Sequence, residues 1–510
     1  MPRIHLPAAY RTSPAPAGWN RRHFLKAAAG ASVALGLFGC DVTEEDPLEI
    51  YEGPEITEAD FVTFNSAYYD IAIDSNTQFP HSSIMSGVPS GTTDPIAIAY
   101  RIQRLIDVDD AVTLETIVDH LLLAQEDGAS FIKYRGLLPA LDFNSSSVGF
   151  EKNSADFEIQ PNASLSARVA MVAQAYSGTP LAAKAIQFLQ NQAEGYNYYF
   201  VQNELLLATT GNAISTDVGT GRVDLLFEEF YAEIAFVLSY FIGHSTLLND
   251  PAIGQEAWSV LIDPAGVPTD TMKDAFTALI TLAAPLAKNG SGYQYFHPLL
   301  ALPKTALSPS MQNGLYNALY AYLDTARFGN LPGIYSGGPD IDGTFEEENG
   351  LSALASGKRF EGSRQAVVTV DALAAALRLF AADSQDRQTL RRWIGVYDGV
   401  TGIRDTAGLF GSISRNGDVV PAMYARQNGA MILFDSTGPD HLEAFLVAEG
   451  RTTLSEMFAE VVILNEGVPI EKVAAPLPLP PAQTAWFTAV YLASLAVGIS
   501  RPRAKRATPP

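Results

Sequence analysis

Three groups of carboxylates stand out in a chain whose charged content is only 17%. Glu228 and Glu229 lie inside the apolar run Val223 to Ile242, with Glu233 one helical turn further on. A charge on such a helix must face solvent or a polar cavity, because an unpaired ion in apolar surroundings is very costly. Facing a cavity, partial burial raises the carboxyl pKa and suits a general acid, the role given to Glu229. Facing outward, the same residues make a solvated face. The second group is the loop Asp340 to Gly350, in which Asp342 and Glu347 are candidates for a base. The same loop reads equally as an oxygen-rich Ca²⁺ loop, though without EF-hand spacing, or as a plain solvated acidic loop. The third is Asp70 and Asp74, one turn apart and so on one helix face; Asp74 alternatively belongs to the helix end. Two carboxyl groups across a cleft are what cleavage of a glycosidic bond needs. One protonates the leaving oxygen and the other activates water or attacks the sugar, at roughly 6.5–9.5 Å separation when the configuration inverts.

Other chemistries lack their residues. The chain has no P-loop, no Gly-x-Gly-x-x-Gly and no His-Glu-x-x-His. Gly362-Ser363-Arg364 and Gly411-Ser412-Ile413 do not make a nucleophile elbow. The seven histidines are scattered, so no zinc spacing appears; His81 and His297 are the most interesting, with a structural role as the alternative for each. Neither a cofactor nor a metal is expected. A net charge of -23 argues against nucleic acid, which wants a basic face. Many of the 21 tyrosines and 26 phenylalanines stand beside Gly, Pro or Asn in apparent loops, where rings stack on sugars; core packing accounts for most of them.

These residues need a scaffold and an address. Asn20-Arg21-Arg22-His23-Phe24-Leu25-Lys26, followed by the apolar stretch Ala27 to Gly39, resembles a twin-arginine export signal. Leu37-Phe38-Gly39-Cys40 resembles a lipobox, and Cys40, the chain's one cysteine, is the expected lipid acceptor. Asp41 resembles an inner-membrane retention signal. Residues 1–40 are thus read as signal, 41–57 as an acidic tether, 58–500 as the body and 501–510 as a basic tail. The expected address is the periplasmic side of the envelope, with the export machinery and the membrane as partners.

The body is helical in pattern: apolar residues recur at three and four over 58–73, 94–107, 112–126, 162–178, 181–194, 222–243, 268–287, 308–325, 364–382, 385–395, 421–436, 439–449, 453–464 and 483–499. Thr57, Thr113, Asp270 and Ser308 mark helix starts. No sustained alternation demands a large sheet. Helices in sequential pairs point to an all-α fold, an (α/α)6 toroid of helical hairpins. Its inner helices are apolar nearly all round, as 165–176 and 366–380 are, and its long loops gather at one end. A stacked solenoid is the alternative, but no fixed period is present. The apolar run 485–499 is short for a membrane span and is taken as the closing helix of the ring.

Several segments, in order, resemble the bacterial glucoamylase-like group, which shares a six-hairpin α/α toroid and includes β-1,2-glucanases. Tyr69-Asp70 through Asn76-Thr77-Gln78 resembles the group's opening helix and turn, and Asn162-Ala163-Ser164-Leu165 its Asp-Asn-Gly-Trp start of an inner helix. Arg222 to Gly243 resembles the helix carrying a Glu near the cleft. Gly290 to Pro298 resembles Gly-Thr-Met-Phe-Glu-Tyr-Leu-Met-Pro, and Val367-Val368-Thr369 the start of a later helix. Tyr397 to Asp405 resembles Tyr-Gly-x-Tyr-Gly-Phe-x-Asp, and Arg426 to Met431 resembles Asp-Gln-Gly-Met. The resemblance implies hydrolysis of a β-glucan with inversion, with Asp70, Asp74, His81, Asn162, Gln294, Tyr295 and Asp405 binding the oligosaccharide or polysaccharide. Asp405 alternatively pairs with Arg404 or a neighbour. The chain departs from the pattern by carrying amides at Asn162 and Gln294 and by lacking the Asp of Asp-Gln-Gly-Met. An amide keeps a carboxylate's shape but carries neither proton nor charge. The departures favour a second reading, a non-catalytic lipoprotein that binds a glycan or scaffolds an envelope complex.

Overall fold

A computed structural model describes residues 56–126, 134–146, 148–153, 156–201, 210–212, 219–220, 231–241, 295–309, 311–312, 314–316, 319, 338–339, 345–346, 367–399, 402–410, 412–414 and 419–459. The chain divides into Met1–Ile50 and Tyr51–Pro510, and every described residue belongs to the second unit.

Most described residues are helical. The helices are α1 (Glu58–Ser66), α2 (Tyr68–Ile71), α3 (Pro95–Asp107), α4 (Ala111–Glu126), α5 (Ile159–Ala175), α6 (Pro180–Val201), α7 (Tyr231–Tyr240), α8 (Asp371–Ala376), α9 (Gln385–Asp398), α10 (Ala425–Leu433), α11 (Gly438–Ala448) and α12 (Leu454–Phe458). His297–Leu300, Lys304–Ala306 and Leu377–Leu379 form 3₁₀ turns. Their starts follow local chemistry. Thr57 caps α1 by accepting from Asp60 N, and Asp94 caps α3 with Pro95 behind it. Thr453 and Glu456 form a capping box on α12. Helix α4 opens earlier than Thr113 predicts: Asp110 accepts from Thr113 N at 3.0 Å, and the helix starts at Ala111.

Six elements form the inner layer. Helix α3 packs on α5, α5 on α7, α7 on His297–Leu300, that turn on α8, α8 on α10, and α10 back on α3. These elements are buried nearly all round: all ten residues of α7 and all six of α8 are buried, as is α5 from Pro161 to Ala173. Helices α4 and α6 pack on each other and back α3 and α5; α9 backs α8. Helix α11 lies against α5 and α3, with Phe445 on Phe236 and Tyr240 of α7. It covers the C-terminal end of the layer, where Asp107 accepts from Ser436 Oγ and Thr437 N, each at 3.0 Å.

The strands are short and stand at the opposite end. Thr92–Thr93 enters α3, Asp156–Glu158 enters α5, Val367–Thr369 enters α8 and Ala422–Tyr424 enters α10. They pair in ladders of two or three, such as Ser83–Met85 with Ala422–Tyr424. Three expected helices are therefore corrected. The run 58–73 breaks at Ala67 and ends at Ile71; within 364–382, Val367–Thr369 is a strand, the helix starts at Asp371 and it tightens into a 3₁₀ turn; within 421–436, Ala422–Tyr424 is a strand and the chain is helical only from Ala425. The expected helices 268–287 and 483–499 lie outside the described residues, as does most of 308–325. Among the described residues no helix is long and apolar enough to cross a membrane.

Candidate functional site

The inner elements meet start to start. Ala425 N donates to Ser82 O, and Ser83 pairs with Tyr424, so the entry to α10 lies beside the segment leading to α3. His297 and Asp371, the first residues of their elements, join through Nε2 and Oδ2 at 2.8 Å. Residues at like depth also meet: Arg168, well inside α5, donates from Nε to Gln103 Oε1 of α3 at 3.0 Å. Helix N-termini carry partial positive charge and unpaired N–H groups, so an end where several converge favours carboxylates and hydroxyl oxygens.

Asp94 stands at this end, partly exposed, with Oδ1 accepting from Ala97 N at 2.8 Å. Burial holds its carboxyl above the ordinary range, against the pull of the Ala97 N–H and of Arg426. Arg426, partly exposed, bears on it, and the partly exposed Tyr424 neighbours Arg426. Tyr69 Oη donates to Ala425 O at 3.1 Å, tying the opening helices to α10.

Deeper in the inner layer lies a buried polar cluster. Tyr100 of α3 is fully buried, with the Arg168 guanidinium 5.4 Å over its ring and the His297 ring at 6.5 Å. Arg168 Nη1 donates to Ser164 Oγ at 3.2 Å and pairs with Glu233 of α7. Gln103 Nε2 donates to Leu300 O at 2.8 Å. One guanidinium thus links α3, α5 and α7 directly, and the 297–300 turn through Gln103. Arg168 and Glu233 are both 0% exposed. Burial raises the Glu233 carboxyl, and Arg168 opposes that rise. A pair so sealed sets how α7 is rotated against its neighbours.

No family model matches the chain, and no curated protein matches it. Solved structures do. The endo-β-1,2-glucanase from Talaromyces funiculosus in complex with β-1,2-glucan superposes with TM-score 0.57 at 12% identity, covering 83% of this chain and 95% of that one. The same enzyme with sophorose gives 0.55 at 13% identity, covering 81% and 94%. The chain has the fold of the endo-β-1,2-glucanases. The β-1,2-glucanase from Parabacteroides distasonis gives 0.50 at 10% identity, covering 80% of this chain and 60% of that chain. The resemblance read from the motifs is borne out at the level of fold.

Within that glucanase fold the expected site residues fall in different surroundings. Asn162 is 0% exposed and its amide is taken up by backbone: Nδ2 donates to Leu138 O (2.9 Å) and Glu158 O (2.8 Å), and Oδ1 accepts from Leu138 N (2.8 Å). It clamps the loop at Leu138 to the start of α5. Asp70 is exposed on α2, but α2 ends at Ile71, so Asp70 and Asp74 do not share a helix face as their spacing predicts. Asp74 instead organises the following turn, accepting from Asn76 N, Thr77 N and Thr77 Oγ1. His81 is partly exposed, its ring edge-to-face with Phe143 and the centroids 4.7 Å apart. Its Nδ1 accepts from Gly91 N at 3.1 Å, which leaves Nε2–H as the donor. Burial lowers the His81 pKa, against the pull of Asp74. Tyr295 is buried, its carbonyl accepting from Tyr231 Oη at 3.1 Å. Asp405 accepts from Thr406 N at 2.7 Å, while Arg404 turns to Asp398. Glu229, Asp342, Glu347, Gln294, Cys40, Arg21 and Arg22 lie outside the described residues. Among the described residues no group of three or more His, Cys, Asp or Glu could hold a metal.

Asp94, Tyr100, Arg168 and Asp371 are additions of the structure. A signal for two of them was present: the rule that singled out Glu228, Glu229 and Glu233, a charge in an apolar helix, applies equally to Arg168 in 165–176 and to Asp371 in 366–380.

Proposed function

We propose that the protein is an exported lipoprotein glycoside hydrolase with an (α/α)6 toroid body, cleaving a β-glucan of the β-1,2-linked type or a related polysaccharide with inversion. The observation that carries this reading is the likeness in fold, over 83% of the chain, to an enzyme solved with β-1,2-glucan bound. The packing order of the inner elements, which returns from α10 to α3, supports the toroid. The convergence of their starts supports a cleft at that end. In this reading Glu229 is the general acid, Asp342 and Glu347 are candidates for the base, and Asp94 adds a desolvated carboxyl at the mouth. Asp70, Asp74, His81, Gln294, Tyr295 and Asp405 are proposed for the surroundings of the glycan. Export through Arg21-Arg22 and a lipid on Cys40 anchor the body on the periplasmic side, on the inner membrane if Asp41 retains it.

The second reading, a non-catalytic glycan-binding or scaffold lipoprotein, is favoured by the amides at Asn162 and Gln294 and by the displaced or absent Asp in the segment Arg426 to Met431. Product release from a panel of glucans, followed by mass spectrometry, separates the two. Release by the chain that begins at Cys40, lost in Glu229→Gln, is the expected result. Binding of a glucan without release selects the second reading, and neither binding nor release removes the glycan from both.

A further inference from the structure

Four unpartnered polar atoms lie on neighbouring buried side chains of the inner layer. Tyr100 Oη, Arg168 Nη2, Glu233 Oε2 and Asp371 Oδ1 are buried, and none has a hydrogen-bond partner among the described residues. Each comes from a different inner helix: α3, α5, α7 and α8. The side chains adjoin. Arg168 lies over the Tyr100 ring and pairs with Glu233; His297 neighbours Tyr100 and holds the other oxygen of Asp371. Arg168, Glu233, Arg426 and Asp371 all bear electrostatically on the Tyr100 hydroxyl.

We propose that these four groups bound a buried site for hydroxyl groups. The chemistry selects that ligand. The two carboxylate oxygens only accept, the guanidinium only donates and the phenol does both. A cation is repelled by Arg168 and an anion by Glu233 and Asp371. Neutral O–H groups both donate and accept, and a water with its two hydrogens, or two hydroxyls of one sugar, can satisfy all four. Native interiors leave few polar groups unsatisfied, and polar interior sites are filled by molecules making two to four such bonds. Two sources supply the chemistry: ordered water, or hydroxyls of a bound sugar. The site stands whether or not the protein is a hydrolase.

Tyr100→Phe in the full chain tests it, because that change removes one hydroxyl and nothing else. Thermal unfolding of the variant is read with and without D-glucose. A hydroxyl that holds a ligand makes the variant less stable, by about 1–2 °C in Tm. A hydroxyl buried dry makes the variant equal to or more stable than the parent, and that result overturns the proposal. Given a fall, glucose that raises Tm in the parent more than in the variant identifies sugar hydroxyls as the occupant; no such difference identifies resident water. Should Tyr100→Phe not fold, electron density of the parent decides. Oxygen-sized peaks within hydrogen-bond distance of both Tyr100 Oη and Glu233 Oε2 support the site. Direct bonds between these side chains, or no density, overturn it.

Discussion

Arg168 and Asp94 show how one side chain can serve two ends. Arg168 is buried among α3, α5 and α7, and its partner Glu233 has no other cation within hydrogen-bond reach among the described residues. Arg168→Ala leaves that carboxylate uncompensated in the interior, and equilibrium denaturation should register a loss of about 3–5 kcal/mol. Glu233→Gln should cost clearly less, because the amide oxygen still accepts from Arg168. Asp94 carries a cap and a charge together. Asn caps a helix as well as Asp does, so Asp94→Asn keeps α3 intact while removing the ionisation. The folded-state pKa of Asp94 is raised above its ordinary value of 3.8. Stability from that group is therefore full below about pH 4 and is lost as pH rises through the folded value. The expected outcome is equal stability of parent and Asp94→Asn at low pH and an advantage to the variant that grows toward pH 7. A constant difference across that range would show that the carboxyl is not desolvated.

At the scale of elements, the contact of α10 with α3 is set by the lack of a side chain. A Cβ built on Gly429 would fall 2.3 Å from Tyr100 Cδ2 and 2.8 Å from its Cβ. Inside an exposed helix, Ala in place of Gly stabilises by roughly 0.5–1 kcal/mol. Here the clash decides the sign, because α3 and α10 must separate or Tyr100 must leave its place. Gly429→Ala should destabilise by about 1–3 kcal/mol in chemical denaturation. A gain in stability would mean that the two helices are not packed this closely.

For the whole molecule, the chain's first described helix is fastened to its later ones by Arg387. Its Nε and Nη2 form a fork on Glu58 at 2.6 and 2.7 Å, Nη2 also reaches Asp435 at 2.5 Å, and Nη1 donates to Leu377 O and Phe380 O. Arg387 is fully buried while Glu58 and Asp435 are partly exposed, so solvent screening reduces the loss on Arg387→Ala to about 2 kcal/mol. The sharper readout is limited proteolysis. Cleavage within 56–71 should accelerate in the variant well before the rest of the body is attacked, and uniform protection would deny the fastening role.

Helix existence in the described parts, the all-round burial of α5 and α8, and the caps at Thr57 and Ser308 were legible in the sequence, because helical periodicity and capping are local properties. The order of motifs also carried the glucanase fold; those at Asn162, Val367 and Arg426 stand at the entries to α5, α8 and α10. Local pattern could not show that Val367–Thr369 and Ala422–Tyr424 are strands. Those segments pair with Ser412–Ser414 and Ser83–Met85, far away in the chain, and the pairing overrides their helical periodicity. Nor could it show what Asn162 does, because spacing identifies an amide at a helix start and only the fold brings Leu138 to it. The buried polar cluster belongs wholly to tertiary structure. Tyr100, Arg168, Glu233 and Asp371 are scattered along the chain, and only the packing of the inner helices makes them neighbours, where burial makes their unmet hydrogen bonds count.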